Sequence, residues 1–77
     1  MTKEILLKKL KEMGIRDNYY SLDGELKPDA TIVRKHKRKY EVFYMDDRGG
    51  IHCKTVFYTI DEAYERLLKE LEDLKDK

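Results

Sequence analysis

The sequence has few of the residues that link, bend or anchor a chain: one cysteine, one proline and no tryptophan among 77 residues. Because Cys53 is alone, an intrachain disulfide is excluded. The longest apolar run near the N-terminus is Ile5-Leu6-Leu7, which is too short for a signal peptide, and no run approaches the ~20 residues of a membrane span. We therefore expect a cytoplasmic protein with no membrane partner.

Charge of one sign is also lacking. Lys and Arg number 17 against 16 Asp and Glu, a formal net charge of +1, so the molecule as a whole predicts no polyanionic partner. A chain of this length forms one small domain, 1–77, that buries roughly 60% of its unfolded surface. Since a large cavity would compete with so thin a core, we expect a binding surface rather than a pocket for a small-molecule substrate.

The segment 39–58 predicts a β-hairpin. Residues 39–46 and 51–58 are rich in aromatic and β-branched side chains, and Gly49-Gly50 between them supplies the positive φ values of a tight turn. With a loop of two or of four residues, residues of opposite parity pair across the hairpin, so one face is the same in both registers unless a bulge intervenes. That face carries Tyr40, Val42, Tyr44, Cys53, Thr55 and Phe57.

An amphipathic helix should follow the hairpin. Thr59 and Glu62 fit a capping box, in which each side chain satisfies an orphan amide of the first turn, so the helix should begin at Ile60. Its apolar residues recur at spacings of three and four, giving one stripe wide enough to cover the sheet face. The stripe consists of Ile60, Ala63, Tyr64, Leu67, Leu68, Leu71 and Leu74.

A first helix and a short strand should precede the hairpin. The helix runs from about Lys3 to Met13, with Thr2 as its N-cap and Gly14 as its left-handed stop. We expect an irregular connection over residues 16–29 and a short strand over 30–35. The order αβββα predicts an α+β fold, a three-stranded antiparallel sheet with both helices packed on the face that holds Val42.

Residues that could support catalysis or metal binding have simpler explanations. His52 and Cys53 are neighbours in a strand, so they point to opposite faces and cannot act as a base and a nucleophile; we expect a buried, structural cysteine. Two histidines and one cysteine lack zinc-ligand spacing, and no glycine-rich phosphate loop is present. Asp46 and Asp47 are typical turn formers. We predict no catalytic residue, no metal and no cofactor.

The sharpest charge feature is the segment 34–39, with five cations and one histidine. One interpretation is a solvated hairpin loop whose cations keep a sheet edge from pairing with other chains. The other is a dedicated site for an anion or an acidic protein. Its candidate partner-binding residues are Arg34, Lys35, Lys37 and Arg38.

The second face of the hairpin is mixed in character. Its apolar centre is Phe43, Met45, Val56 and Tyr58, and its charged rim is Lys39, Glu41, His52 and Lys54. Such a pattern is typical of a protein contact, here with another protein or with a second copy of the chain. An equally open alternative is a second small core under the 16–29 connection. The candidate partner-binding residues on this face are Phe43, Met45, His52, Val56 and Tyr58.

Two classes of binding function compete. Double-stranded RNA-binding domains share the element order αβββα and contact phosphates, and the basic loop 34–39 would suit such a module. Those domains place lysines at the start of their last helix, whereas this sequence has Asp61-Glu62 there, whose charge repels phosphate. We therefore do not expect a nucleic-acid partner.

Protein binding is the other class, and motifs spread over nearly the whole chain favour it. They are Tyr20-Ser21-Leu22-Asp23-Gly24, Tyr40-Glu41-Val42-Phe43-Tyr44, Arg48-Gly49, Phe57 and Asp61-Glu62-Ala63. In order and spacing these motifs resemble a small family of bacterial immunity proteins, immunity protein family fifty-nine of the polymorphic toxin systems. The resemblance implies a non-enzymatic protein that binds and neutralises a cognate protein toxin in the cytoplasm of the producing cell.

Overall fold

The structure is a computed structural model that describes residues 1–75, with side chains as far as residue 73. This part of the chain contains two α-helices, one 3₁₀ helix and four β-strands, so the predicted α+β class is confirmed. In chain order the elements are α1 (Lys3–Glu12), the 3₁₀ helix (Asp17–Tyr19), β1 (Tyr20–Ser21), β2 (Ala30–His36), β3 (Lys39–Met45), β4 (Ile51–Phe57) and α2 (Ile60–Lys75).

The sheet of the described chain is four-stranded and mixed, in the order β1-β2-β3-β4. The strands β2, β3 and β4 form the predicted antiparallel meander. The prediction of a purely antiparallel three-stranded sheet was wrong, because β1 adds to the edge of β2 in parallel, with Tyr20 opposite Thr31 and Ser21 opposite Ile32. A two-residue strand has no periodicity to read in a sequence, and its pairing is decided by the packing around it.

Thr2 and Gly14 cap the two ends of α1, as predicted. The amide of Ile5 donates to the Thr2 hydroxyl at 3.2 Å, which satisfies one of the four orphan amides of the first turn. At the other end Gly14 has φ +75°. The amides of Gly14 and Ile15 donate to the carbonyls of Lys11 and Leu10, both at 3.0 Å, the pair of bonds that defines a Schellman stop. The helix therefore ends one residue before the predicted Met13.

The start of α2 uses the predicted capping pair in a modified form. The amide of Glu62 donates to the Thr59 hydroxyl at 3.3 Å, and that hydroxyl donates to the Glu62 carboxylate at 2.9 Å. The side chain of Glu62 thus orients the cap instead of bonding to the Thr59 amide. The predicted stripe member Leu74 has its side chain outside the described part.

One core lies between the helices and the sheet. Leu6 and Leu10 of α1 pack with four buried residues of α2 against Val33 and Val42 of the sheet. The four residues of α2 are Ala63, Tyr64, Leu67 and Leu71. Both helices therefore cover one face, as predicted, and that face includes Val42.

A β-bulge in β4 changes which residues share that face. Val42 pairs with Thr55, but Tyr44 pairs with His52, so two residues of β4 lie opposite Phe43. The first of these, Cys53, has φ +55°, the left-handed region that bulges often use. The predicted face holds for Thr55 and Phe57, which lie opposite Val42 and Tyr40. At the bulge and before it the prediction was wrong, because His52 takes the place expected for Cys53, and Cys53 is exposed rather than buried.

Replacing Leu67 by Ala should lower the free energy of unfolding by ~2 to 4 kcal/mol, since the side chain is fully buried and its truncation leaves a cavity. Chemical denaturation measures the change. The matched control is Leu7→Ala on the exposed side of α1, for which we expect a loss below about 1 kcal/mol. A similarly small loss for Leu67→Ala would show that the packing of α2 is not as described.

Candidate protein-binding face

The candidate site is the sheet face opposite the helices, which we call the outer face. Strand alternation and register place side chains of β2, β3 and β4 there. Arg34 lies opposite Glu41, which lies opposite Val56, and Ile32 lies opposite Phe43. The face thus combines an apolar pair on β2 and β3 with a row across three strands in which two charged residues lie beside the apolar Val56.

The apolar centre of the outer face is a second small core. Phe43 is 1% exposed and Met45 7% exposed, and both pack with the buried Ile32. The guanidinium carbon of Arg34 lies 5.2 Å from the centroid of the Phe43 ring, and Gly24 of the 22–29 connection lies against the Arg34 side chain. Phe43 and Met45 are therefore buried, as in the interpretation of a second core, although Tyr20 of the connection packs in the other core. They offer almost no surface to a partner.

A carboxylate above this core holds two cations in place. Glu41 is 6% exposed, and one of its oxygens accepts from Nε and Nη2 of Arg34 at 3.0 and 2.6 Å. The other oxygen lies 2.8 Å from Nζ of Lys54. These hydrogen bonds, from Lys54 first and then Arg34, hold the pKa of Glu41 below its ordinary value of 4.5 and outweigh burial, which raises it.

The exposed apolar part of the outer face lies along β4. Val56 is 44% and Tyr58 74% exposed, and Ile51 at the start of the strand is also exposed. Nζ of Lys39 lies 5.7 Å from the centroid of the Tyr58 ring, a cation–π arrangement. The apolar side chains that a partner could reach here are therefore Ile51, Val56 and Tyr58, and Lys39 and Lys54 lie beside the last two.

The basic segment 34–39 is divided by the hairpin that it forms. β2 ends at His36 and β3 begins at Lys39, so Lys37 and Arg38 make the turn, with Lys37 at φ +57°. Arg34 is half-buried against Glu41, whereas Lys35 pairs with Tyr40 and so lies on the helix-bearing side. Lys35, Lys37 and Arg38 are all exposed, but only the turn residues continue the charge of the outer face.

His52 is separated from the other candidate residues. The bulge places it beside Tyr44, with ring centroids 6.3 Å apart, and its Nε2 lies 2.7 Å from Oδ2 of Asp46. Oδ1 of Asp46 also accepts from the amides of Arg48 and Gly50 at 2.9 and 2.6 Å. The bond to His52, then that to the Gly50 amide, lowers the pKa of Asp46. His52 is thus part of the turn that joins β3 to β4.

The sequence did not predict a groove of about 270 Å³ beside the later turns of α2. Its lining includes Tyr19, Asp29, Tyr44, His52, Glu70 and Asp73. The hydroxyl of Tyr44 donates to Asp29 at 3.0 Å, and this bond raises the pKa of Tyr44. Only the bulge brings His52 to this groove, so no sequence pattern could have indicated it. Among the described residues, no group of three or more His, Cys, Asp or Glu side chains could hold a metal ion.

Comparison with known proteins identifies the family. The family model described as Immunity protein 59 matches residues 1–76 of the chain. The chain belongs to the immunity protein 59 family. The predicted resemblance is therefore confirmed. No curated protein and no solved structure matches the chain. In the part of this family member that the structure describes, no helix is long and apolar enough to cross a membrane.

Replacing Phe43 by Asp should unfold the protein, because it places an unpaired carboxylate in the second core. The matched control is Val56→Asp on the same face, where the side chain is exposed and a folded protein is expected. Thermal melts followed by circular dichroism distinguish the two variants. A cooperative, near-native melt of the Phe43 variant would contradict the burial of this residue.

Replacing Glu41 by Gln should lower the free energy of unfolding at pH 7 by about 1 to 2 kcal/mol, since two charge-assisted contacts are lost. The lowered pKa of Glu41 means that its contribution is complete above pH 4.5 and is lost as the pH falls through the folded-state pKa. The difference between wild type and variant should therefore shrink as the pH falls below 4.5.

Urea titrations at several pH values measure that difference. The control is Glu65→Gln on the exposed side of α2, which should change stability by less than about 0.5 kcal/mol at each pH. A difference between wild type and the Glu41 variant that does not shrink as the pH is lowered from 4.5 to the acid limit of the folded state would show that the ionised carboxylate is not what stabilises this face.

Proposed function

We propose that this protein binds a cognate bacterial toxin domain and neutralises it by occupying its surface, as a non-enzymatic protein in the cytoplasm of the cell that makes the toxin. The observation that carries the proposal is the family match over residues 1–76. Because the match spans nearly all of a 77-residue chain, the family's function would belong to this domain itself and not to an appended segment.

The geometry supports binding through a surface. The buried apolar residues are used by two small cores, one under the helices and one on the outer face. Outside them, Val56 and Tyr58 leave exposed apolar area between Lys39 and Lys54. Aromatic side chains with cations around them supply much of the binding energy in protein interfaces. The exposed candidates Lys37, Arg38, Val56 and Tyr58 are therefore the residues that we propose for the contact.

Binding of double-stranded RNA is the alternative, and the start of α2 argues against it. Asp61 is ion-paired with the N-terminal amine at 2.9 Å, and Glu62 is fixed by Thr59. Both carboxylates therefore stay at the helix end where a phosphate would have to bind, and like charge repels it. Purification with and without nuclease, followed by absorbance at 260 nm, would detect bound RNA.

Co-expression tests the proposed function. Candidate toxin domains, taken from the genes adjacent to the gene for this chain, are expressed in a bacterial host with and without the chain, and growth is followed. We expect the chain to restore growth, and isothermal titration calorimetry with the purified, inactivated toxin domain to show a complex in the nanomolar range. Toxicity that persists at full expression of the chain, together with no heat of binding, would refute the proposal.

Reversing Lys37 and Arg38 to Glu should leave folding nearly intact, because exposed charges of a hairpin turn contribute little to stability. If the turn steers an acidic partner, association with the toxin domain should slow by about tenfold at low salt and lose its salt dependence. The control is the same double reversal of Lys8 and Lys11, which are exposed on α1. If stopped-flow measurements give the turn variant the association rate of the wild type, the turn does not steer the partner and is only a solvated loop.

A further inference from the structure

The net charge of +1 conceals a separation of charge across the sheet. The outer face and the adjoining turn carry cations from all three long strands: Arg34, Lys37, Arg38, Lys39 and Lys54. The one carboxylate at these strand and turn positions is Glu41, which is nearly buried. The carboxylates of α2, among them Asp61, Glu62 and Glu65, belong to an element on the opposite side. The outer face is therefore positive although the chain is nearly neutral.

Two of these cations are held in position before any partner arrives. Glu41 binds Arg34 through two nitrogens and Lys54 through a third at 2.6 to 3.0 Å, so both side chains have already lost rotamer freedom. Their side chains remain 35% and 45% exposed. Fixing such side chains in advance removes part of the entropy that binding would otherwise cost. One carboxylate cannot neutralise two cations, and a positive charge remains at the surface.

Apolar surface lies next to this fixed charge. Val56 is directly opposite Glu41 in the register, and Tyr58 continues the row with its ring beside Lys39. Val56 is the last but one residue of β4, and Tyr58 directly follows the strand. Within residues 1–75 the outer edge of β4 pairs with no strand. A segment of another protein can therefore lie along β4 without first displacing part of this chain.

We propose that the outer face is the docking surface for an acidic segment of the toxin domain, with its carboxylates on Arg34, Lys39 and Lys54 and its apolar side chains on Val56 and Tyr58. The identification of the partner as a toxin rests on the proposed function. The chemistry of the partner rests on charge complementarity alone: a positive face with an apolar strip fits a segment that carries both carboxylates and apolar groups.

The same observations argue against two other occupants. A second copy that met this face through a two-fold axis would place Lys39 and Lys54 against cations of its partner, and like charges in contact oppose association. A nucleic acid would leave the exposed Val56 without an apolar partner. An acidic protein segment leaves neither conflict.

A peptide titration tests this surface without the toxin. The probe is a capped ten-residue peptide with serine at every second position and, at the positions between, three glutamates and two leucines, so that both kinds of side chain lie on one side of an extended strand. Its control has glutamine for every glutamate. Both are titrated into the ¹⁵N-labelled chain and followed by NMR. We expect amide shifts centred on Lys39, Lys54, Val56 and Tyr58 with the glutamate peptide only, and an affinity that falls as salt is added. Equal binding of the glutamine peptide, or shifts centred on the helices, would overturn the proposal.

Matched variants then test whether the toxin domain binds through the outer face. Tyr58→Ser and Lys39→Gln alter exposed side chains of the outer face, and Tyr19→Ser and Lys8→Gln make the same changes at exposed positions elsewhere. We expect each outer-face variant to weaken toxin binding by about tenfold or more and each control to stay within about twofold of wild type. Stability is measured for all four, so that a loss of binding cannot be a loss of folding.

The outcomes separate the two proposals. If the wild type neutralises the toxin and the outer-face variants bind it as well as the controls do, the docking surface is wrong and the function stands. If the wild type does not bind the toxin but the glutamate peptide still maps to the outer face, the function is wrong and the acidic-segment site stands. Tighter binding of a double-stranded RNA oligonucleotide than of the glutamate peptide, mapped to the same amides, would overturn the docking proposal in favour of nucleic acid.

Discussion

The packing of α2 across β2 and β3 is the constraint on which the other elements depend. Its buried stripe contacts Val33 and Val42, and α1 completes the same core with Leu6 and Leu10. Two short helices and a sheet of this size have no other place to bury a continuous apolar surface, and α1 alone would be marginal in water. Because both helices pack on one face, the apolar residues of the opposite face of the sheet have to be covered by the rest of the chain.

The apolar residues of the outer face are covered by side chains more than by backbone. Phe43 and its neighbours form a core too small for another helix, and the stems of long cations cover apolar surface efficiently. Arg34 lies over the Phe43 ring, and Glu41 fixes both Arg34 and Lys54 there. The same carboxylate thus stabilises the second core and determines how positive charge is presented to a partner. Glu41 of β3 therefore contributes both to stability and to the proposed binding surface.

Local chemistry explains why much of this was predictable. The caps at Thr2 and Thr59, the stop at Gly14 and the stripe of α2 depend on residues a few positions apart, and such interactions persist in any tertiary context. The site was predictable only in part. The exposed Val56 and Tyr58 were identified by alternation along the strand, whereas the burial of Phe43 depends on side chains from another strand and on a connection that has no periodic pattern.

The sequence by itself determined the α+β class, the antiparallel meander and the two capped helices, because each is specified by residues close together in the chain. It also determined the family, because the family's motifs keep their order and spacing along the chain. Only the tertiary structure decided the parallel pairing of β1, the bulge at Cys53 and the cluster around Glu41. A two-residue strand gains its pairing from the core on which Tyr20 packs. A bulge inserts one residue into β4, and side-chain alternation then assigns the residues before it, Ile51 and His52, to the face opposite the one expected. An ion cluster needs three strands in register before its members meet.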